Sequence, residues 1–75
     1  MKIEIYGRKK CVFCDKAKEL CESYGLDYKY HELGVDFNRD KMKLLFPDAK
    51  TYPQIKLDEK SIGGFSQFQT MIELS

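Results

Sequence analysis

Several things are missing from this 75-residue chain. No apolar stretch approaches the roughly 20 residues that cross a bilayer, and the opening Met1-Lys2-Ile3-Glu4 lacks the apolar run of a secretory signal. Neither sign of charge dominates: 13 Lys and Arg stand against 12 Asp and Glu, so no overall field draws in nucleic acid or a membrane surface. Internal repeats and low-complexity runs are also lacking. The two prolines and five glycines fall at plausible element ends rather than in a linker. These absences predict a soluble, cytoplasmic, monomeric chain forming one domain over 1–75, with no nucleic-acid or membrane partner. A chain this short has a small core and only a few kcal/mol of net stability.

Cysteine is scarce as well, and the number is odd. Three thiols suit a secreted disulfide scaffold poorly and fit reduced thiols that cycle during function better. Two of them stand in Cys11-Val12-Phe13-Cys14. A strand-like opening, Lys2-Ile3-Glu4-Ile5-Tyr6, and a turn-like Gly7-Arg8-Lys9-Lys10 precede this motif, and an amphipathic segment running to Tyr24 follows it. The motif therefore sits where a strand hands over to a helix. There the first sulfur meets free backbone N–H groups and the positive end of the helix dipole, with three cations just upstream. Both effects favour thiolate over thiol. Cys14 falls one turn further in, on the side carrying Ala17 and Cys21, so Cys11 is the candidate nucleophile and Cys14 the resolving thiol.

Periodicity supplies the remaining elements. Cys14, Ala17, Leu20, Cys21 and Tyr24 recur at helical spacing, and Gly25 is placed to end the helix. Leu26, Tyr28 and Tyr30 alternate with Asp27, Lys29 and His31 as a strand. Met42, Leu45 and Phe46 form the apolar stripe of a second helix, with Asp36 or Asn38 available as N-cap and Pro47 as terminator. Gln54-Ile55-Lys56-Leu57 and Lys60-Ser61-Ile62 form a hairpin around Asp58-Glu59. Phe68, Met71 and Ile72 share one face of a last helix, for which Ser66 and Gln69 have the spacing of a capping box. The order is βαβ-α-ββα, which gives an α/β fold: a four-stranded mixed sheet flanked by three helices, the thioredoxin-like layout.

Cys-x-x-Cys is also half of a zinc site, and Cys11, Cys14, Cys21 and His31 are ligand types of the right kind. If residues 14 to 21 are helical, however, their two sulfurs are separated by about 10.5 Å along the axis, too far to share one ion. Cys21 then reads as a core residue and His31 as a solvent-facing or capped side chain; no metal ligands are assigned.

Three separated motifs make the chain resemble the glutaredoxins over nearly its whole length: Gly7-Arg8-Lys9-Lys10-Cys11-Val12-Phe13-Cys14, Thr51-Tyr52-Pro53, and Ile62-Gly63-Gly64-Phe65. The resemblance implies a glutathione-dependent thiol-disulfide oxidoreductase with catalytic Cys11 and Cys14, no bound cofactor, and glutathione as co-substrate. It also implies a cis Pro53, backbone pairing of glutathione with Tyr52, an anion site at Gly64, Phe65 and Ser66, and a glycyl carboxylate near Arg8 or Lys9. Phe13, Thr51 and Gln67 complete the implied glutathione-binding set. Disulfide-bonded or glutathionylated proteins are the implied partners, with ribonucleotide reductase suggested by the likeness to small bacterial and phage members. Two departures stand out. Val12-Phe13 replaces the family's usual Pro-Tyr, and Gln67 replaces an Asp that holds the glutathione ammonium group. They keep two alternatives open, a redoxin reduced by thioredoxin reductase and a carrier of a glutathione-ligated [2Fe–2S] cluster.

Overall fold

A computed structural model describes residues 1–74. The chain runs β1 (Ile3–Gly7), α1 (Val12–Ser23), β2 (Lys29–Glu32), α2 (Arg39–Leu45), β3 (Gln54–Leu57), β4 (Lys60–Gly63) and α3 (Phe65–Leu74). The sheet order is β2-β1-β3-β4. β1 pairs with β2 in parallel, with Ile5 opposite Tyr30, and with β3 antiparallel, with Ile5 opposite Ile55. β4 returns antiparallel to β3. This is the mixed four-stranded sheet that the element order predicts.

Strand alternation sends neighbouring side chains to opposite faces, and each face carries its own core. Ile3, Ile5, Ile55 and Leu57 meet Ala17 and Cys21 of α1 and Phe68 and Ile72 of α3. Tyr6 points the other way and packs with Phe37, Met42 and Phe46. The rings of Phe37 and Phe46 stand edge-on to Tyr6 at 5.3 and 5.2 Å, a favourable geometry for aromatic quadrupoles.

The second strand is shorter at its start than its alternation suggests. Gly25 has φ +66, its N–H bonds the Glu22 carbonyl, and the Leu26 N–H bonds the Cys21 carbonyl at 2.9 Å. That pair of bonds is a Schellman ending. It ties Leu26 to the helix, so β2 begins only at Lys29, while Leu26 and Tyr28 still pack on the core. At α2 the choice of cap falls on Asn38, whose Oδ1 accepts from the Lys41 N–H at 2.9 Å. Asp36 instead accepts from the Glu32 N–H at 2.8 Å. Asp58 and Glu59, at φ 50 and 72, make the two-residue hairpin turn in left-handed geometry.

The capping box expected of Ser66 and Gln69 does not form. Gly63, at φ +109, turns the chain straight from β4 into α3, so the helix starts earlier and the Gly64 carbonyl accepts its first bond, from the Phe68 N–H at 3.1 Å. The residue three beyond Gly64 is Gln67, and its Oε1 accepts from the Gly64 N–H at 3.0 Å. This is the reach-back half of a capping box, set two residues before the expected position.

Candidate functional site

The site forms where β1 ends. Lys10 at φ 54 turns the chain so that Cys11, in extended conformation at φ −121 and ψ 107, becomes the N-cap of α1. Its sulfur takes the place of the usual capping oxygen and accepts from the Cys14 N–H at 3.3 Å. Cys11 and Cys14 form a disulfide with their Cα atoms 5.2 Å apart. Cys11 keeps 7% of its surface exposed and Cys14 none, the asymmetry expected of an attacking and a resolving thiol.

Gly7 is required beside this pair for lack of space. A Cβ there would lie 2.9 Å from both Cys14 Sγ and Tyr30 Cζ. Opposite the disulfide, Cys11 Sγ lies 3.8 Å from the Tyr52 carbonyl oxygen, and the Tyr52–Pro53 peptide is cis. Gln54 holds this loop: the residue is 6% exposed and its Nε2 donates to the Thr51 carbonyl at 2.9 Å.

A groove of about 650 Å³ opens beside the disulfide, between the 45–54 segment and the start of α3. Of the residues singled out in the sequence, Phe13, Thr51, Tyr52, Pro53, Gly64, Phe65, Ser66 and Gln67 line it. Arg8 stands at its edge, with the guanidinium carbon 5.7 Å from the Tyr52 ring centroid. Lys9 is not brought into the groove; its Nζ lies 4.0 Å from Glu32. Asp48, Lys50 and Gln54 also line the groove and were missed in the sequence. Their adjacency to Thr51-Tyr52-Pro53 was the available signal.

The third cysteine lies away from this chemistry. Cys21 is fully buried, and burial, aided by nearby Glu22, pushes its thiol up to about 11. His31 is a capped side chain rather than a solvent-facing one. Its ring stacks on Tyr6 at 4.3 Å, and its Nε2 is 3.1 Å from Glu4 Oε2. Among the described residues, no group of three or more His, Cys, Asp and Glu side chains is placed to hold a metal ion. No helix among them is long and apolar enough to cross a membrane.

A Cys-x-x-Cys disulfide capping the first helix, a buried second sulfur and a cis-proline loop facing the first define a dithiol oxidoreductase of the thioredoxin-like class. The chain belongs to the glutaredoxin family, whose sequence model matches residues 3–62. It is 35% identical to the glutaredoxin of Haemophilus influenzae over 81 residues, covering 97% of this chain and 92% of that protein. Reduced Escherichia coli glutaredoxin shares the fold with a TM-score of 0.80 at 26% identity, over 100% of this chain and 96% of that one. A buckwheat glutaredoxin, solved as a glutathione complex, aligns at TM-score 0.79 and 23% identity over 95% of this chain and 67% of that one. The protein is thus a thiol-disulfide oxidoreductase that carries a Cys11–Cys14 Cys-x-x-Cys pair.

Proposed function

We propose that glutathione is the reductant, and that the observation carrying this reading is the groove beside the disulfide, walled by Tyr52–Pro53 on one side and the start of α3 on the other. A tripeptide fits such a groove as an added antiparallel strand, exchanging backbone bonds with Tyr52. The free N–H groups of Phe65 and Ser66 at a helix N-terminus suit a carboxylate, and Arg8 at the groove edge suits a second one. Phe13, Thr51, Pro53, Gly64 and Gln67 shape the walls. Lys9 contributes only after leaving Glu32.

The electron balance is that of two thiol-disulfide exchanges. Cys11 thiolate attacks one sulfur of the partner's disulfide, forming a mixed disulfide and expelling the other sulfur as a thiolate. Cys14 thiolate attacks Cys11 Sγ, releases the second partner thiol and closes the Cys11–Cys14 disulfide. One glutathione thiolate then attacks Cys11 Sγ and frees Cys14. A second attacks the glutathione sulfur of that adduct and leaves as glutathione disulfide, so two electrons reach the partner. A glutathionylated protein is attacked by Cys11 thiolate at its glutathione sulfur, leaves as a thiolate and yields the same Cys11–glutathione adduct, whereas disulfide-bonded proteins, with ribonucleotide reductase among them, pass through the full sequence. The chain acts as a monomer in the reducing cytoplasm, where such a couple can cycle.

The test supplies each reductant separately. With NADPH, glutathione reductase and glutathione, the wild type reduces a mixed disulfide of glutathione; Cys11→Ser abolishes turnover; and Cys14→Ser keeps deglutathionylation but loses reduction of protein disulfides. Full activity in the Cys11 variant would reject the assignment. One observation favours thioredoxin reductase as the electron source instead: the Gln67 side chain already occupies the Gly64 N–H. NADPH consumption with thioredoxin reductase and none with glutathione would establish that second reading.

A further inference from the structure

Cys14 faces a solvation problem that thiol exchange does not by itself solve. Each time a thiolate attacks Cys11 and opens the Cys11–Cys14 bond, Cys14 Sγ leaves with the electron pair, yet the residue is fully buried and water does not reach it. A thiolate stripped of solvent is costly unless a donor meets it. The backbone N–H of Cys14 is already committed to Cys11 Sγ at 3.3 Å. The buried sulfur therefore depends on what faces it from its other side, across Gly7.

That side is occupied by Tyr30 of β2. A Cβ at Gly7 would lie 2.9 Å from both Cys14 Sγ and Tyr30 Cζ, and closer still to the Tyr30 hydroxyl oxygen, so the phenol and the sulfur abut the same spot on the glycine backbone. The missing side chain at Gly7 is what lets the hydroxyl stand there. Its partner is the Arg8 carbonyl at 3.5 Å, well beyond the roughly 2.5–3.0 Å of an ordinary O–H···O bond. The hydroxyl hydrogen turns about the Cζ–Oη bond, so it can leave that carbonyl for the sulfur without moving the ring. The ring packs on the core beside Ile5 and Ala17, and Lys18 Nζ of α1 lies 4.3 Å from its centroid. Lys18 in turn pairs with Asp15 at 3.5 Å, and Glu32 of β2 lies 4.0 Å from Lys9. Burial first, then Glu32 and Asp15, push the phenol up, so the hydroxyl keeps its proton and serves as a donor rather than a base.

We propose that the Tyr30 hydroxyl is the hydrogen-bond donor for Cys14 Sγ in every form of the protein in which the Cys11–Cys14 bond is open. When an incoming thiolate attacks Cys11 Sγ, a bond forms between those two sulfurs, the Cys11–Cys14 bond breaks and its electron pair leaves on Cys14. The hydroxyl turns to meet that charge, and its proton stays on oxygen. A better-solvated thiolate leaves faster. In the closing step the same bond keeps Cys14 ionised until it attacks Cys11 Sγ and expels the partner's thiolate. Tyr30 thereby serves the resolving sulfur, separately from the helix-cap activation of Cys11. The inference rests on Cys11 being the attacked sulfur and Cys14 the resolving one, and it holds whichever reductant supplies the electrons.

Tyr30→Phe removes the hydroxyl and keeps the ring. With 2-mercaptoethanol in excess as a reductant that carries no peptide features, acid quenching and mass analysis follow the opening of the disulfide and locate the adduct. The variant is expected to open about threefold or more slowly relative to wild type. The closing step, started by a pH jump from protein carrying the adduct on Cys11, should have its pH profile moved upward by about one unit, the tenfold change in acidity expected from losing one bond to a charged group. A packing role alone would lower stability and leave that profile in place. In wild type, the carbon-13 resonance of Tyr30 Cζ should shift on reduction as the hydroxyl changes partner, a reading that needs no variant. An adduct found on Cys14 instead of Cys11 would overturn the division of roles and the inference with it. With the adduct on Cys11, coincident pH profiles for Tyr30→Phe and wild type, or a Tyr30 resonance that does not move, would overturn the inference alone.

Discussion

The backbone N–H of Cys14 points at the sulfur of Cys11 across 3.3 Å, so the second residue of the redox pair solvates the first. In most helices an oxygen side chain takes this capping bond. Here a sulfur takes it, and the group that needs a donor as a thiolate already has one in place. The same geometry sets the two sulfurs apart. The capping position leaves Cys11 7% exposed, and the next turn buries Cys14 completely beside Gly7.

Replacing Gly7 by alanine drives a methyl group toward Cys14 Sγ and the Tyr30 ring. Cys14 cannot retreat cheaply, since it is fully buried and linked to Cys11. The expected loss is about 1–3 kcal/mol, the usual cost of overpacking a filled site. Urea unfolding of the oxidised protein measures it, and unchanged stability would mean the contact relaxes freely.

Gln67→Ala leaves the Gly64 N–H without its internal acceptor, and a loss of about 0.5–1 kcal/mol is expected from the missing cap. Gln67→Glu retains the bond and adds a negative charge at the positive end of α3, so it should match or exceed wild-type stability. Paired melts of the two variants check both directions.

Cys21 gives the protein a pH-dependent weakness on the alkaline side. Its folded-state thiol, pushed up to about 11, holds its proton beyond the ordinary range of about 8.5. The stability this contributes is fully present below that ordinary value and is lost as pH rises toward 11. Over that interval wild type should lose stability faster than Cys21→Ala, as read from denaturation midpoints at successive pH values. Parallel curves would show that Cys21 is not what titrates.

Much of this was legible in the sequence because the signals were local. The periodicity of Cys14, Ala17 and Cys21 marks α1, and Asp58-Glu59 between alternating runs marks the hairpin. Three separated motifs carried the family resemblance. What escaped depends on how elements meet. Leu26 alternates like a strand residue, but the Schellman ending of α1 claims its N–H. The Ser66–Gln69 spacing was a valid cap in isolation, yet the backbone freedom of Gly63 starts the helix earlier. Lys9 looked like a ligand residue until β2 brought Glu32 beside it. Gln54 read only as a strand residue, and its hold on Thr51 exists because the loop before it folds back.

The most direct test of the account is the rate of iodoacetamide alkylation of the reduced protein as a function of pH, with the modified residue identified by mass. The account predicts that Cys11 alone reacts rapidly near neutral pH, well below the range of an ordinary thiol, while buried Cys21 stays unmodified. Should Cys11 react only under alkaline conditions, with a profile like that of a free cysteine, the capping geometry would not be activating its sulfur and the central claim would fail.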